Sequence, residues 1–259
     1  PGQPEEPEPI IPVDRTAVTN FVTRLYTVAL GRTPDEAGLN SWVDIISNRE
    51  NTGAQAAYGF IFSDELKGRN LDDAAYVELL YRTLFDRSAD EVGKSGWLNI
   101  LSNGLSREYV FKGFVDSAEF DILCSGYGID RGTIGLSQAR DQNEGVTKFV
   151  ARCYRQALGR EYETDGLESW CRVILNGSNT PKQAAQSFIF SDEFKQKNLS
   201  NEEYVKILYR TFMDREADEV GLRGWTAVLD SGRENRVKVL DGFADSAEFA
   251  EIMAQYGLK

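Results

Sequence analysis

The sequence is dominated by one stretch, Arg32-Thr33-Pro34-Asp35-Glu36-Ala37-Gly38-Leu39-Asn40-Ser41-Trp42, which returns three more times in altered form. The later copies run from Arg87 to Trp97, from Arg160 to Trp170 and from Arg215 to Trp225. Each copy keeps an Arg, a Gly six residues later and a Trp ten residues later, and each follows a Tyr placed six residues before the Arg. Together the copies contain all four tryptophans of the chain, so this pattern sets the architecture.

The spacing of the copies indicates a duplication within a duplication. The leading Arg residues of copies one and two, at positions 32 and 87, are 55 residues apart, and those of copies three and four, at 160 and 215, have the same separation. Copies one and three are 128 residues apart, as are copies two and four. Other positions match at this longer period, for example Phe21 with Phe149 and Tyr76 with Tyr204. A unit of two copies was therefore duplicated.

Apolar residues in each copy recur at helical spacing. In copy one, residues 17–30 carry an apolar stripe that predicts a first helix ending at Gly31. Thr33 followed by Pro34 and an acid predicts that a second helix is capped at Thr33, and Thr52 and Ser63 predict the starts of a third helix and a short fourth helix. No alternating strand pattern is present. The expected fold is all-α, with four tandem helical repeats arranged as two duplicated two-repeat units.

Composition along the chain predicts its division into segments. Residues 1–13 are rich in Pro and Glu, which is typical of an extended linker. Residues 14–124 form the first predicted double-repeat unit, the glycine-containing residues 125–144 a connector, and residues 145–259 the second double-repeat unit. The linker suggests a piece of a larger parent protein, whose other domains are then expected partners.

Charge and residue usage exclude several classes of function. The chain has 29 Lys and Arg against 41 Asp and Glu, and a net charge of −12 repels nucleic acid and anionic membrane surfaces. No apolar run reaches the roughly 18–20 residues needed to cross a bilayer, so membrane insertion is not expected. The chain has no His, which removes Ser-His-Asp and Cys-His nucleophiles and the usual zinc sites. We therefore expect no metal and no cofactor.

The three cysteines match no metal-binding spacing. Cys153 and Cys171 fall on the apolar stripes of two neighbouring predicted helices, where they either form a disulfide across the core or remain two buried thiols. Cys124 is expected to be a buried thiol.

The repeated Arg, acid, Gly and Trp are predicted to build the fold, because a repeat must preserve its fold determinants in every copy. The Arg and the acid three residues later are expected to close the turn between the first two helices by an ion pair. Glycine inside the second helix costs about 1 kcal/mol relative to Ala, which predicts close approach of the preceding helix or loop, with the Trp filling the adjacent space. The predicted structural positions are Arg32, Asp35, Gly38, Trp42, Arg87, Asp90, Gly93, Trp97, Gly166, Trp170, Arg215, Asp218, Gly221 and Trp225.

Copy three departs from the pattern and supplies the candidate ligand site. Its turn reads Arg160-Glu161-Tyr162-Glu163-Thr164-Asp165, with an aromatic residue where the other copies have Pro or Ala. An exposed tyrosine can stack on a sugar ring while neighbouring carboxylates accept its hydroxyls. The alternative is that Tyr162 lies on its own helix. The candidate ligand-binding residues are Arg160, Glu161, Tyr162, Glu163 and Asp165.

Catalysis is not expected. Carboxylate pairs such as Asp35 and Glu36 stand at predicted helix starts, where capping explains them and solvent keeps them ionised. We therefore predict no catalytic residues and no enzymatic activity.

Two quoted stretches resemble a known family. The run from Tyr209-Arg210 to Trp225, together with Gly242-Phe243-Ala244-Asp245-Ser246-Ala247-Glu248-Phe249, resembles the bacterial family called domain of unknown function 4214, and is distantly similar to phycobilisome linker domains. The resemblance covers nearly everything after the proline-rich start. It implies tandem domains in large secreted or surface proteins of bacteria, without an assigned activity.

These observations predict a non-catalytic binding module of a bacterial secreted or cell-surface protein. The first expectation is recognition of carbohydrate, either an envelope polysaccharide or a host or dietary glycan, or of a surface or host glycoprotein. The alternative is a protein-binding or assembly module that mediates adhesion or scaffold contacts, and a hydrolase is third. An extracellular or cell-surface location follows from the same reasoning.

Overall fold

The computed structural model describes residues 13–258, and all regular structure in that range is helical. The described chain contains no strand, which confirms the prediction of an all-α fold built from helical repeats. It divides into two compact units: the first holds the residues up to Leu101 with Arg107–Gly135, and the second holds Ser102–Ser106 with the residues from Leu136 onward.

The first unit contains copies one and two. Its helices are α1 (Arg15–Arg24), α2 (Glu36–Ser47), α3 (Gly53–Ile61), α4 (Asp64–Lys67), α5 (Asp73–Phe85), α6 (Glu91–Ser102), α7 (Arg107–Val115) and α8 (Ala118–Gly126). A π-helical turn, Leu25–Ala29, continues α1. The linker predicted at residues 1–13 lies outside the described residues apart from Val13.

The second unit contains copies three and four. Its helices are α9 (Glu144–Arg152), α10 (Thr164–Leu175), α11 (Pro181–Ile189), α12 (Asp192–Lys195), α13 (Asn201–Phe212), α14 (Glu219–Asp230), α15 (Arg236–Ala244) and α16 (Ala247–Gln255). A 3-10 turn, Ala139–Asp141, precedes α9, and a π-helical turn, Cys153–Leu158, continues it. The stretch predicted as a connector, residues 125–144, is shared between the units, since the division falls after Gly135.

The helix starts follow from capping side chains. Thr52 and Gln55 form the predicted capping box at α3, and Ser63 caps α4. The prediction that Thr33 caps the second helix was wrong: α2 begins at Glu36, and the Asp35 carboxylate accepts the Gly38 N–H at 2.8 Å. A carboxylate caps better than a hydroxyl at this position because it also gains from the positive end of the helix dipole.

A left-handed residue ends the first helix of every copy. Gly31 and Gly159 adopt φ values of 61° and 71° in copies one and three, and Asp86 and Asp214 adopt 55° and 53° in copies two and four. This conformation reverses the chain direction before the turn arginine, and Gly adopts it without steric cost.

An arginine of the first helix, half-buried in the first unit and buried in the second, joins the two copies within each unit. Arg24 of α1 binds the Asp86 carboxylate at 2.8 Å and donates to the carbonyl oxygen of Thr83, near the end of α5. Arg152 of α9 does the same in the second unit, binding Asp214 at 2.9 Å and the Thr211 carbonyl at 2.8 Å. These contacts satisfy carbonyl groups that a helix end would otherwise leave without partners.

Each unit has its own apolar core. Phe21, Phe111 and Phe114 are buried in the first unit, and Phe149 and Phe212 in the second. Cys124, Cys153 and Cys171 are free, buried thiols, so the structure shows the two-thiol alternative for Cys153 and Cys171. Burial raises the pKa of each thiol, to about 12 for Cys153, and makes all three poor nucleophiles.

The repeated glycine of the second helix admits a tyrosine hydroxyl from the first helix. A Cβ placed on Gly38 would lie 2.5 Å from the Tyr26 oxygen, and one on Gly93 would lie 2.1 Å from that of Tyr81. The predicted close approach is therefore present. In copy one Phe60 of α3 stands between Tyr26 and Trp42, with ring centroids 4.8 Å and 5.1 Å away, a contact that the motif alone did not predict.

Alanine substitutions at two glycines of α6, one in contact with a tyrosine and one not, test this packing. We expect Gly93→Ala to lower the free energy of unfolding by about 1–3 kcal/mol, because the new methyl group overlaps the Tyr81 hydroxyl. Gly96→Ala is the matched control, since no atom lies within 4 Å of its Cβ position, and should raise stability by up to about 1 kcal/mol through helix propensity. Denaturant unfolding followed by circular dichroism measures both. Equal stability of the two variants would contradict the assignment.

Candidate functional site

The turn arginine of each copy is held between an aromatic ring and a carboxylate. The Arg32 guanidinium lies 4.9 Å from the centre of the Tyr26 ring and donates two hydrogen bonds to Glu65 of α4, at 2.9 Å and 3.0 Å. We call this group of Tyr, Arg and Glu the clasp. The corresponding sets are Tyr81, Arg87 and Glu119; Tyr154, Arg160 and Glu193; and Tyr209, Arg215 and Glu248.

The clasp serves the fold and leaves its arginine little capacity for a ligand. One face of the guanidinium covers the tyrosine, and two of its nitrogens point to one glutamate. The predicted ion pair with the acid three residues later is present in all four copies, at distances from 2.9 to 3.7 Å. The glutamate was missed, although a Ser-x-Glu sequence recurs 32 or 33 residues after each arginine.

The acid of each turn is fixed by the helix that it begins. The pKa of Asp35 is lowered chiefly because its carboxylate accepts the Gly38 N–H, and the pKa values of Asp90 and Asp218 are lowered in the same way by Gly93 and Gly221. These carboxylates therefore stay ionised at neutral pH and are unsuited to donate a proton.

Copy three places Tyr162 against its own unit. The Arg155 guanidinium lies 5.5 Å from the centre of the Tyr162 ring, and the Tyr154 ring approaches it edge-on with centroids 6.4 Å apart. The Tyr162 hydroxyl lies 3.4 Å from the Ser102 carbonyl oxygen. The ring is half-buried, so only part of it is open to solvent.

The acids around Tyr162 are exposed but already oriented. Glu161 binds Arg155 at 2.8 Å and Glu163 binds Arg160 at 2.9 Å, while 69% and 71% of their side chains remain accessible. These arginine hydrogen bonds lower the pKa of both carboxylates. Asp165 is exposed in the first turn of α10. The structure thus brings Glu161, Tyr162 and Glu163 onto one turn, with Arg160 engaged in the clasp.

A second candidate surface is a groove that the sequence did not reveal. It lies in the second unit between the start of α11 and the exposed side of α16, and has a volume of about 500 Å³. We call it the α11–α16 groove. Its lining is mainly apolar and includes Pro181, Phe249, Met253 and Leu258, with the exposed Ala250 and Ala254 beside them.

In the first unit an extended segment occupies the corresponding position. The N–H groups of Gly53 and Ala54, at the start of α3, donate to the carbonyl oxygens of Asp130 and Arg131, both at 2.8 Å. Gly132 continues the segment so close to Thr52 that a Cβ on this glycine would lie 2.2 Å from the threonine oxygen. The first unit therefore binds residues 130–133 of its own chain in this place.

The two units match up to the entrance of the groove. Ile129 donates its N–H to the Cys124 carbonyl at 3.0 Å, and Leu258 donates to the Met253 carbonyl at the same distance. Leu258 therefore occupies the position of Ile129.

Comparison with known proteins places the chain in one family. The model of a family described as "Domain of unknown function (DUF4214)" matches residues 14–70, 57–124 and 185–253, so the chain belongs to this family. The turn of copy three, residues 160–165, lies outside the matched ranges. No curated protein matches the chain. The similarity to phycobilisome linker domains stays a prediction. Within residues 13–258, no helix combines the length and the apolar character needed to span a membrane.

Proposed function

We propose that this chain is a non-catalytic binding module of a bacterial secreted or cell-surface protein, and that its second unit docks an extended peptide segment in the α11–α16 groove. The observation that carries the proposal is the filled groove of the first unit, where residues 130–133 show which kind of chain this surface accepts. This is the protein-binding alternative raised by the sequence.

Backbone pairing in the second groove would be weaker than in the first. Pro181 stands where the first unit has Gly53 and has no N–H to donate, so only the N–H of Lys182 remains as the counterpart of Ala54. Apolar contact with Phe249, Met253 and the exposed Ala250 and Ala254 then supplies most of the affinity. The partner segment should therefore bring apolar side chains.

The charge at one end of the groove predicts a polar side chain on the docked segment. Lys182 is bound by two carboxylates, Asp241 at 3.2 Å and Asp245 at 2.9 Å, which leaves one negative charge in excess. In the first unit the counterpart of Asp245 is Asp116, and it accepts a hydrogen bond from the hydroxyl of Thr133 in the docked segment. A hydroxyl or a basic side chain on the partner segment fits this end of the groove.

A labelled peptide with the sequence of residues 128–136 tests peptide docking, because this segment is held by the corresponding groove of the first unit. We expect saturable binding to the whole chain by fluorescence anisotropy, and at least about tenfold weaker binding to Ala254→Arg, which corresponds to ~1.4 kcal/mol. Gln255→Arg, at the neighbouring exposed position outside the groove lining, is the control and should bind normally. The proposal would be rejected if a scrambled peptide bound as tightly as the 128–136 peptide, or if Ala254→Arg and Gln255→Arg bound the peptide equally well.

Carbohydrate binding at the turn of copy three is the second candidate. It is supported by two exposed carboxylates that arginines already hold in place beside a half-buried tyrosine. Copy four has the same arrangement in the ion pair of Arg210 and Glu216 at 2.8 Å, but has Ala217 in place of Tyr162. The tyrosine is therefore the feature that would make copy three a sugar site.

A glycan array separates the two candidates. If copy three binds sugar, the chain should retain a defined glycan, Tyr162→Ala should lose it without loss of helicity, and Ala217→Tyr should raise the signal by completing the same arrangement in copy four. Absence of binding to every glycan, or binding that Tyr162→Ala leaves unchanged, would remove this turn as a carbohydrate site.

A further inference from the structure

A separate cavity opens in the second unit beside α12. It has a volume of about 480 Å³, within the range of small-molecule sites, and lies between the end of α11, α12 and the starts of α13 and α15. Its apolar lining includes Phe190, Phe194, Leu199, Tyr204 and the half-exposed Val237, and Arg236 lies at its edge. We call it the Arg236 pocket.

The corresponding cavity of the first unit is smaller, with a volume of about 190 Å³. There the Tyr58 ring packs on Phe62 with centroids 4.6 Å apart, and the Tyr58 hydroxyl donates to Glu108 of α7 at 2.7 Å. This hydrogen bond, with burial, raises the pKa of Tyr58 to about 12. The second unit has Gln186 in place of Tyr58 and Val237 in place of Glu108, so neither side chain that narrows the cavity of the first unit is present.

The cation at the cavity also differs between the units. In the first unit Arg107 stacks on Tyr76 and pairs with the Asp73 carboxylate at 2.7 Å. Arg236 stacks on Tyr204 in the same manner, 4.9 Å from the ring centre, but the counterpart of Asp73 is the neutral Asn201. The Nε and Nη2 atoms of Arg236 donate to Asn201 Oδ1 at 3.2 Å and 3.0 Å, and Nη2 also donates to the Leu199 carbonyl oxygen at 2.5 Å. Among the described residues no carboxylate lies within 4.0 Å of Arg236, and its Nη1 makes no hydrogen bond.

The remaining polar groups of the pocket do not replace that missing charge. The Tyr204 hydroxyl is buried and donates to the Arg236 carbonyl oxygen at 2.7 Å, so it belongs to the floor of the pocket. Lys195 extends into solvent with 64% of its side chain accessible and lies 3.6 Å from Asp192. The pocket therefore combines an apolar body with one positive group that lacks a carboxylate partner.

We propose that the Arg236 pocket binds a small molecule with an apolar body and one carboxylate. The apolar part would occupy the space that Tyr58 fills in the first unit. The carboxylate would pair with Nη1 of Arg236, because Nε and Nη2 already donate to Asn201 Oδ1. The N–H groups of Nη1 belong to a permanently charged guanidinium, so they favour an anionic carboxylate over a neutral acceptor. This site is independent of the α11–α16 groove, with which it shares no lining residue.

The probe is 3-phenylpropionate, with its neutral amide, 3-phenylpropionamide, as the matched ligand. Calorimetric or NMR titration of the whole chain should give one site per chain for the acid and at least tenfold weaker binding for the amide. Equal affinity for acid and amide would remove Arg236 from recognition. Absence of saturable binding of the acid would reject the pocket as a site for this class of ligand.

Substitutions that place the cavity residues of one unit at the matching positions of the other provide the decisive control. Gln186→Tyr with Val237→Glu restores the Tyr-Glu pair of the first unit and should abolish binding. Asn201→Asp should weaken the acid at least tenfold and leave the amide unchanged; it is combined with Asp230→Ser, the residue of the first unit, because Asn201 donates to Asp230 at 2.8 Å. Conversely, Tyr58→Gln, Glu108→Val and Asp73→Asn together should open the first unit and raise the stoichiometry from one to two. These residues occur naturally at the matching positions, so a folded product is expected. Unchanged binding of the acid by the Gln186→Tyr, Val237→Glu variant would overturn the proposal.

Discussion

The guanidinium of the turn arginine is the group on which the geometry of every copy depends. Its face lies on a tyrosine of the first helix and its nitrogens bind a glutamate of the fourth, while that tyrosine places its hydroxyl against the glycine of the second helix. Three helices are thereby oriented by one planar cation. Its side chain is about 40% exposed, so solvent screens each ion pair and the pair adds little to stability. Its main effect is to fix direction.

Local sequence predicted the helices well because caps and apolar periodicity act over a few residues. Thr52, Gln55 and Ser63 begin helices as expected, and Gly93 marks the contact with Tyr81. The error at Thr33 arose where a hydroxyl and a carboxylate competed for one helix start. Glu65 was missed because its partner is 33 residues away. The α11–α16 groove and the Arg236 pocket were missed because they depend on side chains that are small or absent at matching positions of the second unit.

A shared frame makes the differences between the units informative. Because the clasp is the same in all four copies, corresponding positions of the two units perform corresponding packing roles. The first unit covers its groove with residues 130–133 and closes its cavity with Tyr58 and Glu108. The second unit has Gln186, Val237 and Asn201 at the positions of Tyr58, Glu108 and Asp73. The same repeat frame therefore contains a narrow cavity in the first unit and a wider one in the second.

The most direct test of this asymmetry is NMR mapping of the whole chain with a mixture of small organic fragments. Amide shift changes should cluster in the second unit, at Leu199 and Val237 around the Arg236 pocket and at Ala250 and Ala254 along the groove. The matching residues of the first unit, Leu71, Glu108, Asp121 and Ser125, should show none. Shift changes of similar size at both sets would contradict the assignment of binding to the second unit.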